Sequence, residues 1–247
     1  MTIIKKQVID RFNQGAFTYD AAADVQINIA AHLASSLKNI TPKTILEIGS
    51  GTGLLSQHLS ELFPTSSLLL IDIAEKMLEK CRQRISHHPQ MTTLCMDGEN
   101  LTLDSGFDLI VSSMAMQWFG DLKKSVTEII KRLNPDGRFV FSLPGNNSFQ
   151  EWHTICRTFD LPIATPFFPS KEMLSDIFPN VKLQVVEYQQ HYPSAYLFLQ
   201  ALKQLGSRAP HANYNVLTAG KLRKALRHFE KEMTITYEIF YGEYVKS

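Results

Sequence analysis

Residues 44–57, TILEIGSGTGLLSQ, decide the fold. An apolar run, Ile45-Leu46-Glu47-Ile48, meets Gly49-Ser50-Gly51-Thr52-Gly53, and a helical pattern starts at Leu54. Strand, glycine loop and helix in that order build a ligand cleft at the carboxyl edge of an α/β sheet. Glycines at alternate positions bring the backbone close to a ligand with no Cβ in the way. The helix start behind them offers free N–H groups and a positive dipole end. Two common readings fail on spacing. A dinucleotide fingerprint, G-x-G-x-x-G, needs a glycine where Leu54 or Ser56 stands. A P-loop needs a Lys after its last glycine, and none follows. What stands here is an acid in the strand, Glu47, followed by Gly49, Gly51 and Gly53.

Working outward, the next apolar run, Leu68 to Ile71, reads as a buried parallel strand and ends in Asp72. That is about twenty residues past the glycines, where an acid binds ribose hydroxyls in nucleotide-binding sheets. A carboxylate accepts two O–H donors at once. The same Asp72 can instead cap the helix expected over 75–85. A strand over 92–96 ends in Asp97-Gly98, either a ligand-facing tip or a plain β-turn. A strand over 107–111 runs into Ser112-Ser113-Met114-Ala115-Met116-Gln117-Trp118, with Trp118 either in the core or in a site wall. Upstream, helices are expected over 3–14 and 21–38, the second capped by Asp20. Downstream, a helix over 122–133 is expected to end in a sharp turn, Asn134-Pro135-Asp136-Gly137, before a strand over 138–143. Helices capped by Ser148 and Ser170 follow, then a strand over 181–192, helices over 196–205 and 221–231, and a last strand over 233–245.

Composition narrows the classes. A chain of 247 residues with 44% apolar content can bury a real core. A net charge of +1 argues against a general nucleic-acid binder. No run approaches the ~18 apolar residues of a membrane span, and the first residues lack a signal-peptide pattern. Cys81, Cys95 and Cys156 are scattered, which points to a reducing cytoplasm and no disulfide framework. No His or Cys cluster has metal-ligand spacing, so no metal is expected.

The glycine motif with its strand acid resembles the first motif of the class I S-adenosylmethionine methyltransferases. That resemblance implies a Rossmann-like sheet, mostly parallel with an antiparallel last strand, plus N-terminal lid helices and a helical cap insertion. It implies S-adenosylmethionine as cofactor, with S-adenosylhomocysteine as product. Glu47 would hold the cofactor ammonium, Gly49, Ser50, Gly51 and Gly53 its cradle, and Asp72 its ribose. Ile73 and Met77 would lie along the adenosine, Asp97 and Gly98 at the adenine, and Ser112 and Met114 by the methionine. The Asn/Asp-Pro-Pro-aromatic motif of nucleic-acid amino-methyltransferases is missing after the fourth strand.

A wider match covers nearly the whole chain. Phe17-Thr18-Tyr19-Asp20, Met114-Ala115-Met116-Gln117-Trp118, Ser148-Phe149-x-Glu151-Trp152-His153, Lys203-x-x-Gly206 and Ile235-Thr236-Tyr237-Glu238-Ile239-Phe240-Tyr241-Gly242 resemble the malonyl-[acyl-carrier protein] O-methyltransferases. Those enzymes start biotin synthesis. The resemblance implies one domain: lid helices over 1–40, a cofactor-binding core over 41–145, a substrate cap over 146–232 and a final strand over 233–247. It implies methyl transfer to the free carboxylate of a malonyl group on an acyl-carrier protein or coenzyme A. Another small carboxylate, a quinone or a lipid is the alternative acceptor. Tyr19, Gln117 and Trp118 are the candidates for positioning and walling the reacting groups. Arg208 and Lys203 are the candidate cations for the acyl substrate. Lys203, Arg208, Lys221, Arg223, Lys224, Arg227 and Lys231 stand against Glu230 alone. That stretch is either a docking face for an acidic carrier protein or a solvated helix face. The oligomeric state is left open.

Overall fold

Ile45 faces one way and Leu46 the other, and both are fully buried. A strand covered on both faces has no polar side, hence the unbroken apolar run. The computed structural model describes residues 3–104, 106–163, 165–206, 219–228 and 232–247. Its strands are β1 (Thr44–Ile48), β2 (Ser67–Asp72), β3 (Met91–Cys95), β4 (Phe107–Ser113), β5 (Leu133–Pro144), β6 (Lys182–Tyr192) and β7 (Met233–Val245). They form one sheet in the order β3-β2-β1-β4-β5-β7-β6. β1 to β5 pair in parallel, and β7 runs antiparallel to both of its neighbours. The expected sheet, with its antiparallel last strand, is the one observed. The order reverses between β1 and β4, and the crevice at such a reversal is where open α/β sheets bind ligands.

The Ile45 face is covered by α2 (Asp24–Ser35) and α3 (Leu54–Leu62) through Val25, Ile29, Leu55 and Leu59. The Leu46 face is covered by α5 (Leu122–Lys131) and α7 (Lys171–Ile177) through Val126, Ile129 and Leu174. α4 (Glu75–Arg84) follows β2, and α1 (Ile3–Gly15) lies against it. α6 (Gln150–Thr158) and α8 (Ala195–Gln204) flank β6 and β7, and α9 (Ala219–His228) precedes β7. Phe178, just past α7, is fully buried and stacks on Phe141 at 4.8 Å between centroids. Phe178→Ala should cost about 3–5 kcal/mol of stability, read as a lowered urea midpoint.

Three local expectations need correction. Asp20 does not cap the second helix. It opens a short 3-10 turn, Asp20–Ala22, while Ala23 precedes α2. Its carboxylate accepts from Thr52 Oγ1 at 2.7 Å and pairs with Arg84, so tertiary partners outcompete the cap. Ser148 does not cap α6, because Phe149 intervenes in a left-handed conformation (φ 62°). Ser148 Oγ instead donates to the Glu238 carbonyl at 2.9 Å and accepts its N–H at 3.1 Å. The turn at 134–137 lies inside β5, which starts at Leu133, and α5 therefore stops at Lys131. Asp136 N–H donates to the Lys246 carbonyl, and Lys246 N–H donates to Gly137. A register shift beside Phe107 absorbs the extra residues. The Ser170 cap holds: its side chain accepts from Met173 N–H.

Candidate active site

The tips of β1, β2, β3 and β4 surround one cleft of about 960 Å³, part of it open to solvent. The loop after β1 is held from β2: Gly49 N–H and Ser50 N–H both donate to the Ile71 carbonyl, at 2.8 and 3.0 Å. Gly49 has φ +73°, and a Cβ there would strike the Ala115 side chain. Gly51 has φ +55°, and a Cβ there would meet nothing within 4 Å. The first glycine therefore closes the floor and the second leaves room above it.

Two carboxylates stand beside this loop. Glu47 is buried, with Ser56 Oγ donating to its Oε2 at 2.6 Å. Burial pushes Glu47 up to about 8; the Ser56 bond opposes this and the charge of Asp72 adds to it. Asp72 Oδ2 accepts from Gly51 N–H at 2.9 Å, and Oδ1 from Ala74 N–H at 2.8 Å. Burial raises Asp72 to about 6 against those donors. A nearby cation or pair of hydroxyls would favour the ionised forms. A pyrophosphate would be repelled by both. Lys5 is the cation lining the cleft among the described residues, and it is already engaged at 2.5 Å by Asp97 and by Glu99. The residues present thus fit a nucleoside bearing a positive charge, such as S-adenosylmethionine.

Of the cofactor candidates, Glu47, Gly49, Ser50, Gly51, Asp72, Ile73, Met77, Asp97, Gly98 and Met114 line this cleft together. A Cβ on Gly98 would strike Ile48 and crowd Phe119. Gly53 and Ser112 stand behind the wall. Gly53 (φ +88°) precedes α3 and packs on Cys81. Ser112 is fully buried and donates to the Ile48 carbonyl at 3.0 Å, while Ser113 reaches the cleft. Asp97 faces the cleft with both oxygens in use: Oδ2 toward Lys5 and Asn100, Oδ1 toward Glu99 N–H. Burial alone would raise Asp97 and Glu99, but Lys5 and the other donors hold both below the usual carboxylate range.

A second chamber of about 590 Å³, part of it open to solvent and with no charged side chain among its described lining residues, adjoins the first. Phe12, Tyr19, Gln26, Met114 and Trp118 line both and stand between them. Phe12 meets Trp118 edge-on at 5.4 Å. Tyr19 is placed between two acids; burial first, then the charges of Asp72 and Asp20, raise its phenol above the usual range. It is a neutral hydroxyl at any working pH. Gln117 lines the second chamber alone. Lys203 lies exposed on α8 and lines neither, and Arg208 is outside the described residues. So is Lys231 at the end of the basic stretch.

Sequence reasoning missed Lys5, Phe12, Gln26, Ser113 and Phe119. The first three come from helices that reach the site only through tertiary packing. The end of α8 fixes α1 in place: a Cβ on Gly15 would meet the Gln204 carbonyl at 2.9 Å, and one on Gly206 would meet Phe12 at 3.1 Å. On the far side, Lys5 ties α1 to the β3 tip. Lys5→Met should weaken adenosylhomocysteine binding by about three- to tenfold, and the wild-type affinity should fall as NaCl is raised. Titration calorimetry at two salt concentrations reads both.

Among the described residues, no helix is long and apolar enough to cross a membrane. No group of three or more His, Cys, Asp or Glu could hold a metal ion among them.

Residues 45–137 match a family model described as a methyltransferase domain. The malonyl-[acyl-carrier protein] O-methyltransferase of Magnetococcus marinus is 35% identical over 244 residues, covering 94% of this chain and 90% of that protein. The protein of the same name from Bacillus cytotoxicus is 32% identical over 248 residues, covering 93% and 85%. Among solved structures, the YcgJ protein of Bacillus subtilis superposes with a TM-score of 0.64 at 14% identity, over 89% of this chain and 98% of that one, which speaks to the fold. Identity above 30% across nearly the full length of both chains is a statement about descent, and it makes this chain a member of the malonyl-[acyl-carrier protein] O-methyltransferase family.

Proposed function

We propose that this protein transfers the methyl group of S-adenosylmethionine to the free carboxylate of a malonyl thioester carried by an acyl-carrier protein or coenzyme A. The observation that carries the reading is a set of five side chains shared by the acid-and-glycine cleft and an uncharged chamber beside it. When bound, S-adenosylmethionine supplies an electrophilic methyl on a sulfonium. Glu47, Asp72 and the glycine loop bind and orient it.

No base is needed. A carboxylic acid has a pKa near 4, so the acceptor is already ionised at neutral pH. Tyr19, held as a neutral phenol, suits positioning rather than proton transfer. Attack of a carboxylate on a sulfonium cancels two charges, so a chamber that excludes water favours it. Phe12, Met114 and Trp118 supply apolar walls where the two compartments meet. Alignment there can be worth ~7 kcal/mol or more. Arg208 and Lys203 remain the proposed cations for the acyl partner. The basic stretch from Lys203 to Lys231 is proposed to dock an acidic carrier protein.

The test is direct. Incubation with S-adenosylmethionine and malonyl-carrier protein should add one methyl to the acyl group, read by mass. Malonyl-CoA and free malonate run alongside. A quinone or lipid methylated in preference to every malonyl species would overturn the reading.

A further inference from the structure

Gln117, which lines the second chamber, carries an acceptor with nothing to accept. Gln117 sits on a short 3-10 turn, Met116–Trp118, beside Met114, whose left-handed backbone (φ 53°) precedes the turn. Gln117 Nε2 donates to the Met114 carbonyl at 2.7 Å. That bond fixes which way round the amide sits, since the carbonyl takes only a donor. Gln117 Oε1 is then left buried without a hydrogen-bond partner. A buried unpaired acceptor is destabilising, so a bound molecule with an N–H or O–H to offer gains by meeting it.

The other polar groups of the chamber are differently disposed. Thr165 Oγ1 is bonded to His153 Nε2 at 3.2 Å, and the Tyr237 hydroxyl to the Tyr192 hydroxyl at 3.0 Å. Among the described residues, no Lys, Arg or His lines the chamber. The reacting end of the proposed substrate offers no donor either. A malonyl thioester presents a carboxylate and a thioester carbonyl, both acceptors, which Oε1 would repel. Its nearest donor is the amide N–H of the cysteamine unit, two methylenes beyond the sulfur. Gln117 faces the chamber but not the cofactor cleft, so it lies on the side away from the methyl group. An acyl group with its carboxylate beside the shared side chains would trail its thioester and amide toward that side.

Resting on the functional reading above, we propose that Gln117 Oε1 accepts the cysteamine amide N–H of a pantetheine thioester, so that the enzyme reads the carrier arm and not the malonyl end alone. The test compares two small substrates: S-malonyl-N-acetylcysteamine, and its analogue in which a methylene replaces the amide N–H. Wild-type enzyme should favour the amide about tenfold in kcat/KM. Gln117→Met keeps the length and removes the acceptor, and should bring the two within about twofold by slowing the amide substrate. Adenosylhomocysteine binding checks that the variant is folded, and the wild-type comparison stands without it. Equal use of both analogues by the active wild-type enzyme overturns this inference alone. An equal slowing of both by Gln117→Met does the same, because it marks a structural role. Failure of the wild-type enzyme to methylate malonyl-carrier protein removes the functional reading and this inference with it.

Discussion

Asp72→Ala should weaken adenosylhomocysteine binding by about two to three orders of magnitude. The proposed role of the carboxylate is to accept from both ribose hydroxyls, and a hydrogen bond to a charged group is worth about 1.5–3 kcal/mol. The same side chain also holds the loop, through Gly51 N–H and Ala74 N–H. Its removal therefore costs pre-organisation as well as contact. Asp72→Asn keeps one acceptor and should fall between the two, at about tenfold. Calorimetry on the three proteins decides it. An Asp72→Ala protein that binds normally would move the ribose elsewhere in the cleft.

The second large effect is on pH. With Glu47 at about 8, most of the ligand-free protein carries a proton there at neutral pH. An ammonium placed beside it, as proposed for the cofactor, would favour the carboxylate, so binding would expel that proton. Affinity for adenosylhomocysteine should rise by up to about tenfold per unit between pH 6.5 and 7.5, with proton release seen in buffers of different ionisation heat. Methylthioadenosine, which lacks the ammonium, should show little of this. Glu47→Gln should flatten the profile. The sign for stability runs the other way. Folded Glu47 keeps a proton that the unfolded chain gives up near pH 4.3, so the ligand-free protein loses stability as pH rises from there toward 8. Its thermal midpoint should fall over that window, and less so in Glu47→Gln. Asp72, at about 6, adds the same sign in the lower half.

Much of the cofactor side was legible because its parts are local. A strand, its last acid and the loop after it are neighbours in sequence, so Glu47, Gly49, Gly51 and Asp72 could be named from spacing. The choice of Ser112 over Ser113 shows where locality fails. β4 is buried on both faces, so its apolar run carries no alternation to set the phase. Ser112 shares the α5 side with Ile110, and Ser113 follows Leu109 and Val111 on the other. Asp20 and Ser148 looked like caps because short polar side chains before helices usually are. Both found distant partners instead, Thr52 and Glu238. Lys5 could not be read at all: its carboxylates lie 92 and 94 residues away. The second chamber was not legible as a unit, since its walls come from α1, α2, α8, β7 and the segment around Phe149 and Phe168 rather than from one motif.

Phe12 belongs to a helix that roofs both compartments, and that helix is seated backbone to backbone on Gln204 and Gly206. Any displacement of that helix would alter both compartments at once, so access to one and occupancy of the other are tied to a single element.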